Sequence, residues 1–370
     1  MSIKIGIDLS ITRTNRAGTG VYASSLYEAL RRIDAENQYV VFADEYPQPM
    51  GQQKTLRSRA GVIYHDLLWN HVILPLKARR AGVDILIMPA NIAPVFSPCP
   101  TMVFIPDMLP ITHPQHFTFW WGHYARQLMP VSARRSARVL TDSESAKQDI
   151  VRLCHVPPEK VVVTYLAASS AFHPVSEAEI AAVKAKYKLN ERFILAVCTL
   201  EPRKNIKRLI QAYAQQAGLL PPVQLVHAGS KGWFYDDILA EAQRSGVADS
   251  VSFLGHVPLD DLVGLYNAAA VFVYPALYEG FGLPTLEAMR CGCPVITSNT
   301  SSLPEVVGEA GLLIDPLDVS QLAAAIQRVL GDAALAETMR RLGLARAGRF
   351  SWERTAQETL AACKQILDLP

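Results

Sequence analysis

The strongest constraint on the fold is a pattern repeated along the whole chain: a short apolar, β-branched run, a turn, then a segment whose apolar residues fall at helical spacing. In the first half the runs are Ile3 to Leu9, Tyr39 to Ala43, Val83 to Met88, Met102 to Ile105, Arg138 to Thr141 and Val161 to Tyr165. In the second half they are Phe193 to Cys198, Val223 to Ala228, Ser250 to Leu254, Val271 to Tyr274, Pro294 to Ser298 and Leu312 to Asp315. Their apolarity is continuous rather than alternating, which marks strands covered on both faces, as in a parallel sheet between two helix layers. At 370 residues the chain also exceeds what one hydrophobic core usually organises. The expected architecture is α/β, with two Rossmann-like, doubly wound parallel-sheet domains facing a cleft.

The domain boundary is read after "KVVVTY", in "LAASSAFHPVSEAEIAAVKAKYKLNER", where Ser, Ala and Pro dominate before the strand at Phe193. This gives a first domain over 1–168 and a second over 169–351. Beyond Asp315 the pattern is helical to the end, with a break at "GRFSWER", where Ser351 is placed to cap a last helix.

Charge and cysteines narrow the function. Lys and Arg number 36 against 34 Asp and Glu, a net charge of +2 that gives a nucleic-acid partner no support. Cys99, Cys154, Cys198, Cys291, Cys293 and Cys363 form neither a C-x-x-C pair nor a Cys/His cluster at zinc spacing, so reduced thiols and no metal site are expected. The opening "MSIKIGIDLS" reads as a strand rather than a leader, and no apolar run approaches the roughly 20 residues that span a bilayer. A cytoplasmic protein is expected, at most lying against the inner face of the cell membrane.

In open α/β sheets ligands sit beyond the carboxyl ends of the strands, so the segments after each strand carry the chemistry. After the first strand, "NRAGTGVYASSLYEALRRI" sets Gly18, Thr19 and Gly20 at the start of a helix whose Tyr22, Leu26, Ala29, Leu30 and Ile33 share a face. Backbone N–H groups there can approach a phosphate, whose charge the helix dipole favours; the alternative is a tight strand-to-helix turn. The dinucleotide fingerprint G-x-G-x-x-G is incomplete.

After the first strand of the second half, "EPRKN" places Arg203 and Lys204 just ahead of a helix with Asn205 as N-cap and Ile206, Leu209, Ile210 and Tyr213 as its buried stripe. Cations at a helix start oppose its dipole, so an anion should compensate them. A ligand phosphate is one source; Glu201 or plain solvation is the other.

The third segment is "YEGFGLPTLEAMRCGCPVITS". Gly280 and Gly282 free the backbone, Pro284 suits the first helical position, and Leu286, Met289 and Cys293 face the core. Glu287 in the first turn complements the dipole, whereas Glu279 precedes the helix and has no such reason to be there. Carboxylates accept strong hydrogen bonds from the hydroxyls of a sugar or ribose, while the N–H groups of Phe281, Gly282 and Leu283 suit phosphate oxygens between them. Together the segments describe a nucleotide sugar as the ligand.

These residues resemble the retaining family 4 glycosyltransferases of the GT-B fold. The resemblance runs over nearly the whole chain and rests on "EGFGLPTLEAM", with its Glu-x7-Glu pair Glu279 and Glu287, on "EPRKN", on "SSLPEVVGEAGLLIDP" and on "FSWERTA". It implies that Glu279 contacts the hydroxyls of the donor sugar and Glu287 the ribose. It further implies that Arg203 and Lys204 neutralise the diphosphate, with Gly18 and Gly20 closing on it from the other domain. The backbone around Gly255 to Pro258, Val257 included, would border the base, and a closing helix over 352–370 would return to the first domain. Where many relatives carry His-Asp this chain has Pro106-Asp107, which leaves open what takes the histidine's role, His113 and His116 included, and Asp107 stays as an acceptor-side candidate. The chain has no D-x-D motif, so metal independence is expected, with no cofactor beyond the nucleotide-sugar donor.

The acceptor is read as a saccharide. "HDLLWNHVILPLKARRAG" and "HFTFWWGHYARQLMPVSARRSAR" set Trp69, Phe119, Trp120 and Trp121 near Arg79, Arg80, Arg126, Arg134 and Arg135. Aromatics beside cations suit a membrane interface and a lipid-linked acceptor, or else an ordinary buried face with solvated arginines. The main reading is a hexosyltransferase using GDP-mannose, a choice that rests on resemblance to bacterial mannosyltransferases of surface polysaccharide synthesis. A UDP-hexose enzyme, a silent nucleotide-sugar-binding subunit and an NAD-dependent oxidoreductase are the alternatives.

Overall fold

A computed structural model of the chain describes residues 2–14, 18–44, 64–114, 117, 119–216 and 223–368. The chain divides into two compact units, 1–166 with 352–370, and 167–351. In the first unit β1 (Lys4–Asp8), β2 (Gln38–Phe42), β3 (Ile85–Met88), β4 (Thr101–Phe104), β5 (Arg138–Thr141) and β6 (Val161–Val163) form one sheet in the order β2-β1-β3-β4-β5-β6. Every neighbouring pair is parallel. The order reverses between β1 and β3, the switch point of this sheet.

The second unit holds β7 (Phe193–Val197), β8 (Gln224–Ala228), β9 (Val251–Gly255), β10 (Val271–Tyr274), β11 (Val295–Ser298) and β12 (Gly311–Ile314), in the order β12-β11-β10-β7-β8-β9. All pairs are again parallel. Counted within the unit this is the Rossmann order, with its switch point between β7 and β10. The continuous apolarity of the strands has the predicted meaning: Ile194, Leu195, Phe272, Val273, Val295 and Ile296 are all within 1% of full burial. Each such side chain contributes about 1.5–3 kcal/mol of hydrophobic stabilisation.

The helices that cover the sheets follow from capping and apolar spacing. Ser176 and Glu179 form a reciprocal capping box at the start of the helix Glu177–Tyr187. The helix Ile206–Ala214 buries Ile206, Leu209, Ile210 and Tyr213 as its spacing requires. One expectation changes after Asp315, where the helical tract has a second break. Asp332 ends the helix Val319–Gly331 and caps the helix Ala333–Ala347 by accepting from the Leu335 N–H. The last helix, Trp352–Ile366, belongs to the first unit, where it packs on the helix Thr19–Ile33. There the Thr355 hydroxyl donates to the Tyr165 carbonyl at 2.5 Å, and Cys363 and Met102 approach to 3.5 Å.

Candidate functional site

Three of the sequence-predicted residues meet at the switch point of the second sheet. Arg203 and Lys204 lie in the 3₁₀ turn Pro202–Lys204 that follows β7, and Glu279 lies in the loop that follows β10. Backbone bonds zip these loops together. The Leu277 N–H donates to the Arg203 carbonyl (2.9 Å), and the Arg203 Nη1 donates to the Tyr278 carbonyl (2.8 Å). The segment after β8 locks the other side, since the Leu200 N–H donates to the Ser230 carbonyl (2.9 Å) and the Gly232 N–H to the Leu200 carbonyl (3.1 Å). A Cβ at Gly229, where φ is +144°, would stand 1.9 Å from the Cys198 carbonyl oxygen, so only glycine lets these two segments run so close.

The charges are matched within the protein. Arg203 contacts Glu201 Oε1 through Nε (3.0 Å) and Nη2 (2.7 Å), and Nη1 donates to Glu279 Oε1 (2.8 Å). Lys204 Nζ donates to Glu279 Oε1 (2.5 Å) and to the Tyr274 hydroxyl (2.8 Å), and that hydroxyl donates to the same Oε1 (3.1 Å). Both Glu201 and Glu279 therefore supply the anion that Arg203 and Lys204 require at a helix start, and the four charges sum to zero. Burial pushes the Glu279 carboxyl up. The charges of Lys204 and Arg203, with the hydrogen bonds from Lys204 and Tyr274, outweigh that and hold it below the usual carboxylate range. The main chain of Glu279 is held as well. Its N–H donates to Ser301 Oγ, and its carbonyl accepts from Ser302 Oγ, both at 3.0 Å.

Glu287 sits differently from its expected place. The helix is Leu283–Arg290, with Gly282 (φ +93°) before it and Pro284 as its second residue. Glu287 is the fifth residue, past the first turn, so the dipole does not explain it. Its Oε2 accepts from the buried Tyr266 hydroxyl (2.9 Å), and burial pushes the carboxyl up to about 7. Gly280 and Phe281 are buried in the turn, the Phe281 ring meeting Phe350 edge-on at 5.9 Å, and Leu283 is half-buried. Val257, after β9, is buried next to the start of the helix Leu259–Ala268.

Asn205 departs from its predicted role. It occupies the N-cap position with φ 61°, but its side chain bonds no helix N–H. Instead Nδ2 donates to the carbonyls of Pro275 (3.0 Å) and Pro316 (2.7 Å), while Oδ1 accepts from Arg208 (2.9 Å). The residue thus ties together the segments after β7, β10 and β12. Sequence reasoning missed this and gave Tyr274 no part, and it had Ser301 and Ser302 only as the opening of "SSLPEVVGEAGLLIDP", with no role of their own. Each looks like an ordinary strand-end or turn residue; only its spatial neighbours give it a part.

The remaining candidates lie in the first unit. Gly18 opens the helix Thr19–Ile33 with φ 51° and ψ −113°, a conformation that side chains with a Cβ avoid, and Gly20 is buried two residues on. Asp107 follows β4 and accepts from the Leu109 N–H (2.9 Å). His113 is exposed, and His116 lies outside the described residues.

Trp69 does not belong to any surface: it is 1% exposed, with Nε1 donating to Asp8 (3.3 Å). Arg134 and Arg135 close the helix Phe119–Arg135, about 22 Å of helix away from Phe119. There Arg134 donates to the Cys154 carbonyl and Arg135 to the Val95 carbonyl. Within these two segments the exposed large apolar residues are instead Phe119, Trp120, Leu67, Leu68, Val72 and Leu76. Trp120 Nε1 donates to Asp66 (3.3 Å), which joins the start of that helix to the helical segment 64–81.

Residues 178–345 match the family described as Glycosyl transferases group 1. The chain is 43% identical over 250 residues to the O-antigen chain mannosyltransferase B of Escherichia coli, a match covering 66% of this chain and 64% of that protein. It is 35% identical over 243 residues to the serotype-specific mannosyltransferase WbdA of Escherichia coli, covering 63% of this chain and 29% of WbdA. The matched part is thus under two thirds of the first relative and under a third of the second. Among solved structures, the sucrose-phosphate synthase of Thermosynechococcus elongatus superposes with a TM-score of 0.77 at 23% identity, covering 99% of both chains. The shared fold is GT-B.

Proposed function

Residues 178–345 of this GT-B chain are a glycosyl transferases group 1 domain, and from that premise we propose that the protein transfers a hexose to a growing surface saccharide, with mannose from GDP-mannose as the first choice. The observation that carries this is the Arg203, Lys204, Glu279 and Tyr274 cluster at the carboxyl ends of β7 and β10, the place where a doubly wound sheet binds nucleotides. Mannose is favoured by the two E. coli relatives, both named as mannosyltransferases.

Each group has a part suited to its chemistry. Two donors of the Lys204 ammonium are engaged by Glu279 and Tyr274, leaving the third for a diphosphate oxygen. The backbone at the start of the helix Leu283–Arg290 adds the favourable end of a dipole. Glu279 accepts from hydroxyls of the donor sugar, and Glu287 from the ribose. In a retaining transfer the bond from C1 to the departing phosphate oxygen breaks and the acceptor oxygen joins C1 on the same face. The acceptor's proton passes to the departing phosphate. Cationic side chains and backbone N–H groups stabilise the leaving group, a role for which no metal is required. The exposed Phe119, Trp120, Leu68, Val72 and Leu76 favour an acceptor held at a lipid surface.

A thermal-shift panel of GDP, UDP, ADP and their sugar conjugates, with and without EDTA, tests the donor. GDP and GDP-mannose are expected to stabilise the wild type by about 2.7 kcal/mol at 100 times Kd, equally in EDTA, with the shift lost in Lys204→Ala. A preference for UDP-sugars overturns the mannose reading. A shift that needs added manganese overturns metal independence, and no shift with any nucleotide overturns the donor site.

A further inference from the structure

All three donors that reach the Glu279 carboxylate, from Arg203, Lys204 and Tyr274, end on Oε1, and none among the described residues bonds Oε2. Its main chain is fixed at both ends by Ser301 and Ser302. The carboxylate is therefore anchored through one oxygen, with the other left to a ligand. Tyr274 is the uncharged member of this anchor. It is the last residue of β10, 1% exposed, with its ring stacked on Phe272 and its carbonyl accepting from the Thr297 hydroxyl (2.8 Å). Neither its backbone nor its ring is free to shift. A phenol both donates and accepts, so it can bridge an ammonium and a carboxylate, which neither a second lysine nor a second acid can do.

We propose that Tyr274 is a positioning residue for the transfer reaction: its hydroxyl accepts from Lys204 and donates to Glu279 Oε1, holding the two in register and turning Oε2 toward the donor sugar. Without it, the flexible four-carbon stem of Lys204 lets the ammonium chelate both carboxylate oxygens, and the acceptor for the sugar hydroxyl is lost. The proposal rests on the reading of Glu279 as a donor-sugar ligand. The charged and titratable groups around that carboxylate are Arg203 and Lys204 from the turn after β7, Glu201 behind Arg203, the Cys198 thiol and Tyr274 itself.

The test is Tyr274→Phe, which keeps the ring and removes the hydroxyl. A hydrogen bond to a charged group lost at this point should lower kcat about tenfold or more, while KM for the donor moves less than about threefold and Tm stays near that of the wild type. The lost bond favoured the ionised carboxylate, so the acidic limb of the kcat profile moves to higher pH. Unchanged kcat with an unchanged limb overturns the proposal, as does a kcat loss that comes with a lower Tm and no movement of the limb. A second readout needs no turnover: the titration of Glu279 followed by ¹³C NMR of carboxyl-labelled protein, its signal assigned by its loss in Glu279→Gln. An upward midpoint in Tyr274→Phe supports the anchor even if the donor reading fails; an unmoved midpoint ends it.

Discussion

Glu279 and Glu287 stand eight positions apart in one loop-and-helix segment, and their environments drive them in opposite directions. Both are desolvated, but Glu279 has two cations within 2.8 Å, whereas Glu287 has one neutral phenol. The first stays ionised; burial takes the second up to about 7 from an ordinary 4.5. A carboxyl whose folded pKa is raised lends stability in its protonated form, fully below about 4.5, and loses it as pH rises through about 7. Glu287→Gln, which can still accept from Tyr266, should match the wild type at pH 5 and exceed it at pH 8 by about 1–3 kcal/mol, read from urea midpoints. A difference that does not change with pH would show that Glu287 titrates as an ordinary carboxylate. The same titration bears on ligand binding. On the proposed role of Glu287 at the ribose, only the ionised form accepts freely from its hydroxyls, so donor affinity should weaken below neutrality.

At the scale of elements, the surface helices make the sharpest claim. Leu68, Val72 and Leu76 follow one another at intervals of four in the helical segment 64–81, and Trp120 is tied to the same segment through Asp66. Arg79, Arg80 and Arg126 are exposed on these same elements. An apolar face bordered by cations suits an anionic lipid surface. The protein should sediment with anionic vesicles, and Trp120→Ser with Leu76→Ser should release about tenfold more of it than the wild type. Equal sedimentation of both would leave the aromatics with a packing role only. The sequence showed aromatics beside arginines in these segments but not which of them face out: Trp69 and Trp120 look alike in a string, yet one bonds Asp8 in the core and the other is 40% exposed. Strand positions were legible because two-face burial writes continuous apolar runs, and Arg203, Lys204 and Glu279 stood out because acids and bases at helix starts call for a partner. Asn205 was misread because a cap and a loop tie use the same residue type. Tyr274 went unseen because, although Glu279 stands five residues on, the Lys204 it bridges to comes from β7's loop, 70 residues earlier, and no local pattern records such a contact.

At the scale of the molecule, the two units are built differently from the chain. The second is one continuous stretch, 167–351, while the first is completed by a segment that returns after it. That segment is not an ornament. The helix Trp352–Ile366 buries Thr355, Ala356, Thr359, Ala362 and Cys363 within the first unit, and Trp352 lies 6.3 Å from Tyr22, centroid to centroid. A fragment of residues 1–166 therefore exposes the face of the helix Thr19–Ile33 that this segment covers, whereas 167–351 keeps its whole sheet. The fragment 167–351 should unfold cooperatively on its own and retain the nucleoside diphosphate preference of the full chain. Residues 1–166 should lose about 3 kcal/mol for want of the buried side chains, about 6–12 °C in Tm at this size, and regain most of it when a 352–370 peptide is added. If 1–166 melts at the same temperature with and without the peptide, the helix is an appendage and the first unit closes its core without it.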